Sequence, residues 1–166
     1  MNRVELKIPG DHGGESEWHE ITPGERFRIR TSVVETDGLY MTLEIIADPR
    51  NGVPMHVHAN EEECFIVLEG SLHLVNGDQR LNLSAGDVAT VKRGTPHAWC
   101  NISEKSVRIL IVFAPGHMER TFRRIGSMKG KDLTAISQSA ESDGSTIVGP
   151  PPFDDIYSVL SARPMP

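Results

Sequence analysis

Apolar and polar positions alternate in short runs from about residue 25 to residue 114, the period expected of strands with one face buried. Arg26 to Val34 and Leu39 to Ala47 are rich in apolar and β-branched residues, and Thr36-Asp37-Gly38 between them is a turn signal, which predicts a hairpin. Ser71 to Val75 and Arg80 to Leu83 flank Asn76-Gly77, a dipeptide that tolerates the positive backbone angles of a type I′ turn. Further turns at Ser84-Ala85-Gly86-Asp87 and Arg93-Gly94-Thr95-Pro96 lead into Val88 to Val91 and into a strand at His97, and Val107 to Phe113 reads as a long apolar strand. Short strands at such regular intervals predict a sandwich or barrel.

The pattern changes after Pro115-Gly116, which breaks the last long strand. Met118 to Ile125 and Asp132 to Ala140 carry helical apolar spacing, and the helices are expected to pack outside the barrel. Arg120, Arg123, Arg124, Lys129 and Lys131 then read as a solvated face. Thr146-Ile147-Val148-Gly149 starts like a strand that Pro150, Pro151 and Pro152 end. The expected organisation is an N-terminal extension over 1–22, a β-barrel over 23–114, and a helical extension with a tail over 115–166.

With 166 residues and no internal repeat, the chain is expected to form a single barrel. A net charge of −6 disfavours a nucleic-acid or anionic-membrane surface, so the expected partner is a small molecule. No apolar stretch is long enough to span a bilayer, and Met1 to Glu20 has no signal-peptide core, which points to the cytoplasm. Exposed edges on the N-terminal strands offer a route to a two-fold homodimer.

Within this frame four residues carry the candidate chemistry. On a strand His56-Val57-His58 the two imidazoles project from one face. After the polar connection Ala59-Asn60-Glu61-Glu62, a strand starting near Glu63 puts Glu63, Phe65 and Val67 on the same interior face, and His97 arrives from a later strand. A lone His-x-His is more often polar surface or a hydrogen-bonded core pair. Three imidazoles and a carboxylate in one apolar barrel all need polar partners, however, and one divalent cation satisfies all four. Cys64 and Cys100 are the only cysteines, and strand parity turns both away from that face, so they read as small hydrophobes rather than ligands or a disulfide.

These segments resemble the two motifs of the cupin family. The first runs from Arg50 through His56, His58 and Glu63 to Gly70, with Arg50 in place of the leading glycine, so the turn entering the first histidine strand is expected to be shaped differently. The second runs from Gly86 through Gly94 and His97 to Asn101, with Lys92 in place of a proline. Phe122-Arg123-Arg124-Ile125-Gly126 and the terminal Val-Gly-Pro-Pro are similar to bacterial single-barrel cupins grouped with quercetin 2,3-dioxygenases. The resemblance implies an all-β double-stranded β-helix, or jelly roll, with short C-terminal helices. It also implies a metal held by His56, His58, Glu63 and His97, and Asn101 as a structural tie.

A three-histidine, one-carboxylate shell leaves positions open for water, dioxygen or a chelating substrate, which suits catalysis. Fe, Mn, Ni, Co, Cu and Zn all accept these ligands, with iron, manganese and nickel favoured. The reading favours a dioxygenase of a small enolic or flavonol-like substrate, in which Glu63 stays a ligand or takes the substrate proton. Phe65, Val67 and Trp99 have the parity to line the substrate cavity. A metal-dependent isomerase, lyase or decarboxylase, and a binding cupin without turnover, are the alternatives. Glu44 is expected on the solvated face of its strand, His73 outward between Leu72 and Leu74, and His12, His19 and His117 as surface histidines.

Overall fold

The structure is a computed structural model that describes residues 17–128 and 132–153, with Leu133 by its backbone only. His12, Lys129 and Lys131 lie outside the described residues, as do most of the expected N-terminal extension and the end of the tail.

Eleven strands among the described residues form two antiparallel sheets. The first has β1 (His19–Thr22), β2 (Glu25–Thr31), β3 (Met41–Ala47), β10 (Val107–Ala114), β5 (Glu62–Glu69) and β8 (Val88–Val91), in that spatial order. The second runs β11 (Ser145–Gly149), β4 (Met55–His58), β9 (His97–Cys100), β6 (Ser71–Asn76) and β7 (Gln79–Ser84). Alternation along each strand puts Met41, Leu43, Ile45, Phe65, Val67, Leu72, Leu74, Trp99, Ile109 and Ile111 in one shared core. Each fully buried large side chain there contributes about 1.5–3 kcal/mol. The sheets reach past residues 23–114 at both ends, because β1 starts before Pro23 and β11 comes from beyond the helices.

The C-terminal elements follow the sequence pattern closely. A single 3-10 turn at Gly116–Met118 leads into α1 (Glu119–Ser127), and Asp132 caps α2 (Leu133–Glu141) by accepting a 2.7 Å hydrogen bond from the Ala135 amide. The described arginines of the basic run are exposed as expected, and they also form ion pairs. Arg123 pairs with Glu119, while Arg120, at 3.1 Å, and Arg124 both pair with buried Asp143, which also accepts a 2.6 Å hydrogen bond from Thr121. Arg120 and Arg124 thereby tie the solvated face of α1 to the turn that starts β11.

Local turn chemistry brings a second correction. Asn76 pairs with Gln79, so the two-residue loop is Gly77-Asp78, one position later than expected. Only Gly77 has a positive φ there, at 57°, which is the pattern of a type II′ turn with glycine first. Arg50 adopts φ 67°, the left-handed conformation that glycine favours.

Candidate metal centre

The site is assembled from three strands. On β4, His56 and His58 share a face, and the antiparallel register sets His97 of β9 directly opposite His56. β5 supplies Glu63 from the facing sheet. The four donor atoms lie within 4.8 Å of one another. Two ligands on one first-row ion, each about 2.1 Å from it, sit at most about 4.2 Å apart, so only a small contraction is needed. Donor chemistry and geometry both fit a divalent cation.

Hydrogen bonds orient each imidazole. His56 Nδ1 lies 2.8 Å from the Pro54 carbonyl and His97 Nδ1 lies 2.9 Å from the Thr95 carbonyl. A carbonyl oxygen only accepts, so Nδ1 carries the proton in both rings and Nε2 is left as the donor to a metal. His58 differs, because its Nδ1 lies 2.9 Å from the Ser145 hydroxyl on β11. The Glu63 Oε2 atom completes the cluster, at 2.8 Å from His97 Nε2 and 3.3 Å from His58 Nε2.

The protonation pattern follows from burial and neighbours. Burial pushes the His56 pKa down to about 4, and the neighbouring His97 adds to the effect. Burial alone would raise the Glu63 carboxyl, but hydrogen bonds from His58 and His97 outweigh it and hold the group well below the usual carboxylate range. His97 moves the opposite way: burial would lower it, and its bond to Glu63 raises it above an ordinary histidine. The metal-free centre thus holds a His97–Glu63 ion pair beside a neutral His56. Metal binding there must displace protons.

The other residues singled out from the sequence are placed as follows. Phe65, Val67 and Trp99 are in the packed core, with at most 2% of their surface exposed. Cys100 is buried and Cys64 half-buried, and neither is in a disulfide. Asn101 ties the fold through its side-chain amide, which donates to the Ala47 and Lys105 carbonyls at 2.9 and 2.8 Å. His73 is on the outer face but is buried, with Nδ1 2.7 Å from Asn82 Oδ1. His19 is half-buried against Phe27, at 5.4 Å between ring centroids, whereas His117 is a surface histidine as expected. Glu44 is 2% exposed beneath arginines, not solvated.

Ser145 is the site residue that sequence reasoning missed. It lies 87 positions after His58, and no local pattern links the two. The Pro54 and Thr95 carbonyls each precede their histidine by two residues, a repeated spacing that could have been noticed.

Two facing antiparallel sheets around a buried, histidine-rich centre able to hold a metal ion define a class of β-barrel metal-binding protein. Residues 43–113 match the cupin domain family. That match and the fold support a likeness to the cupin superfamily. Quercetin 2,3-dioxygenase of Bacillus subtilis (strain 168) is 28% identical over 111 residues, covering 63% of this chain and 33% of that protein, so the chain spans about a third of this relative's length. The structure of KdgF from Halomonas sp. superposes with a TM-score of 0.55 at 19% identity, over 60% of this chain and 86% of that one. An RmlC-like cupin from Shewanella frigidimarina NCIMB 400 gives a TM-score of 0.54 at 19% identity, over 66% and 92% of the two chains. At these identities the two structures bear on the fold alone.

Proposed function

We propose that this cupin is a metal-dependent dioxygenase whose substrate is a small enolic or flavonol-like molecule chelated at the centre formed by His56, His58, Glu63 and His97. The observation that carries the reading is the convergence of three imidazoles and one carboxylate within 4.8 Å inside an apolar double sheet. The sequence likeness to a quercetin 2,3-dioxygenase supports the substrate class. A bound divalent ion, with iron, manganese or nickel favoured, would supply Lewis acidity that lowers the pKa of a chelated hydroxyl.

The chain's own residues divide the remaining work. Nε2 of His56, His58 and His97 would hold the ion, while Glu63 serves as a fourth ligand or accepts the substrate hydroxyl proton at a carboxylate oxygen. His56 is the most exposed of the four, the other three being at most 3% exposed, so the substrate would approach from its side. Phe65, two residues beyond Glu63 on β5, and Trp99, two beyond His97 on β9, would together with Val67 form the apolar wall that excludes water from the reacting oxygen.

The test is elemental analysis of protein purified without added metal, followed on the same sample by oxygen uptake with a panel of flavonols and other enolic compounds. The expected result is about one transition metal per chain and substrate-dependent uptake. Bound metal without uptake on any compound would instead favour a non-oxidative isomerase, lyase or decarboxylase, or a binding role.

A further inference from the structure

We propose that Ser145 is a positioning residue for the metal centre, its hydroxyl holding the His58 ring in the orientation that presents Nε2 to the ion. The inference rests on the metal-centre reading above and adds to it a residue from outside the cupin domain match, which ends at 113.

The placement is defined by backbone pairing. In the β11–β4 register Ser145 is the partner of His58, and Ile147 is the partner of His56. Ser145 is 3% exposed, with its Oγ 2.9 Å from His58 Nδ1 and 3.7 Å from the sulfur of Met118. The start of the strand is anchored from two sides. Asp143 is bound by Thr121, Arg120 and Arg124 of α1, and the Ala59 amide donates to the Gly144 carbonyl at 3.1 Å.

The chemistry of this partner is unlike that of the other two. Pro54 and Thr95 offer carbonyls, which accept only and hold His56 and His97 in a single tautomer. A hydroxyl both donates and accepts. With the ring protonated at Nε2 and facing Glu63, the Ser145 hydroxyl donates to Nδ1. With the Nε2 lone pair given to a cation, Nδ1 carries the proton and donates to Ser145 Oγ, whose own hydrogen turns toward the Met118 sulfur. The ring keeps its buried hydrogen bond in both forms, so binding does not require His58 to reorient. Without the hydroxyl, Nδ1 is buried with no partner in the metal-bound form, which costs affinity.

The experiment uses the full chain stripped of metal, with Zn2+ as the probe and its Kd measured by chelator competition. Ser145→Ala is expected to weaken Zn2+ binding by about 10- to 100-fold. Ser145→Thr, which retains the hydroxyl, should stay close to wild type, as should Thr146→Ala on the exposed face of the same strand. Nitrogen-15 NMR of the Zn2+-loaded wild type should show His58 protonated at Nδ1 and ligated through Nε2. Equal Zn2+ affinity for wild type and Ser145→Ala, or ligation of His58 through Nδ1, overturns the proposal. If Ser145→Ala melts lower without metal, the comparison of Kd with the equally buried Ser145→Thr separates a packing defect from loss of the hydroxyl, and failure of both equally counts against the hydroxyl's role. Wild type that takes up no Zn2+ would remove the metal-centre reading itself, a result distinct from intact wild-type binding that Ser145→Ala shares.

Discussion

Two glutamates, Glu63 inside the double sheet and Glu44 on the outer face of the first sheet, are equally shielded from solvent and surrounded by different cations. Glu63 is 3% exposed and faces His58 and His97, whereas Glu44 is 2% exposed and sits among Arg28, Arg30 and Arg108. Arg28 Nε and Arg108 Nε donate to its two oxygens at 2.9 and 2.5 Å. Burial would raise both carboxyls, and hydrogen bonds hold both below the usual range instead. The partners make the difference. Guanidinium cannot lose its proton, so the outer cluster is closed and structural. Imidazole can, and each ring that does so exposes a lone pair aimed at the same point, which makes the inner cluster a place to bind a cation.

The most severe way to test that contrast is to remove an inner donor. His97→Ala should lower transition-metal affinity by at least about 100-fold, more than the loss expected for an outer-shell group, as read by chelator competition. Glu44→Gln should leave the same Kd unchanged. A Kd that responds to Glu44 and not to His97 would invert the assignment of the two clusters.

A third carboxylate, Glu25, sharpens the comparison because neither kind of cation pairs with it among the described residues. The Thr22 hydroxyl donates to it at 3.3 Å, and burial pushes its pKa up from 4.5 to about 7. A carboxyl whose folded pKa lies above its unfolded value binds the proton more tightly when folded. Stability from this group is therefore complete below about pH 4.5, falls as pH rises toward 7, and stays low above that. Over this shift the loss is on the order of 3 kcal/mol. Glu25→Gln should recover most of it at pH 8 and change little at pH 4, measured by urea unfolding at the two pH values. Equal effects of the substitution at both would contradict the burial argument.

At the outer cluster itself the expected effect is moderate. Glu44→Gln should destabilise the fold by about 2 kcal/mol, less than for a fully buried pair, because the stranded arginines are 20–44% exposed and water relieves them. The loss is to be read from urea midpoints at pH 7. Smallest is Arg50→Gly, which places glycine where φ is 67° and should stabilise by about 1 kcal/mol while leaving both clusters and the metal Kd intact.

Much of the centre was legible in the sequence because strand parity is local. His56 and His58 on one face, Glu63 with Phe65 and Val67 on another, and cysteines turned away all follow from a period of two. The same rule misjudged Glu44 and His73. It placed both on the outer face, where they are, but a face is solvated only if nothing from another segment covers it, and here arginines from β2 and β10 and the Asn82 side chain of β7 do so. The arginine run of α1 is exposed as expected, but the partner that meets it from across a helix pair, Asp143, lies too far along the chain for a local pattern to reveal.

The alternation, the turns and the two motif segments specify which groups can meet, three imidazoles and a carboxylate on inward faces. How they are held depends on long-range packing. β11 reaches β4 from almost ninety residues away, and with it comes the Ser145 hydroxyl against His58. Such pairing depends on which edge of the sheet is left open after the helices have packed, and neither a residue's period nor its neighbours in the chain carry that information.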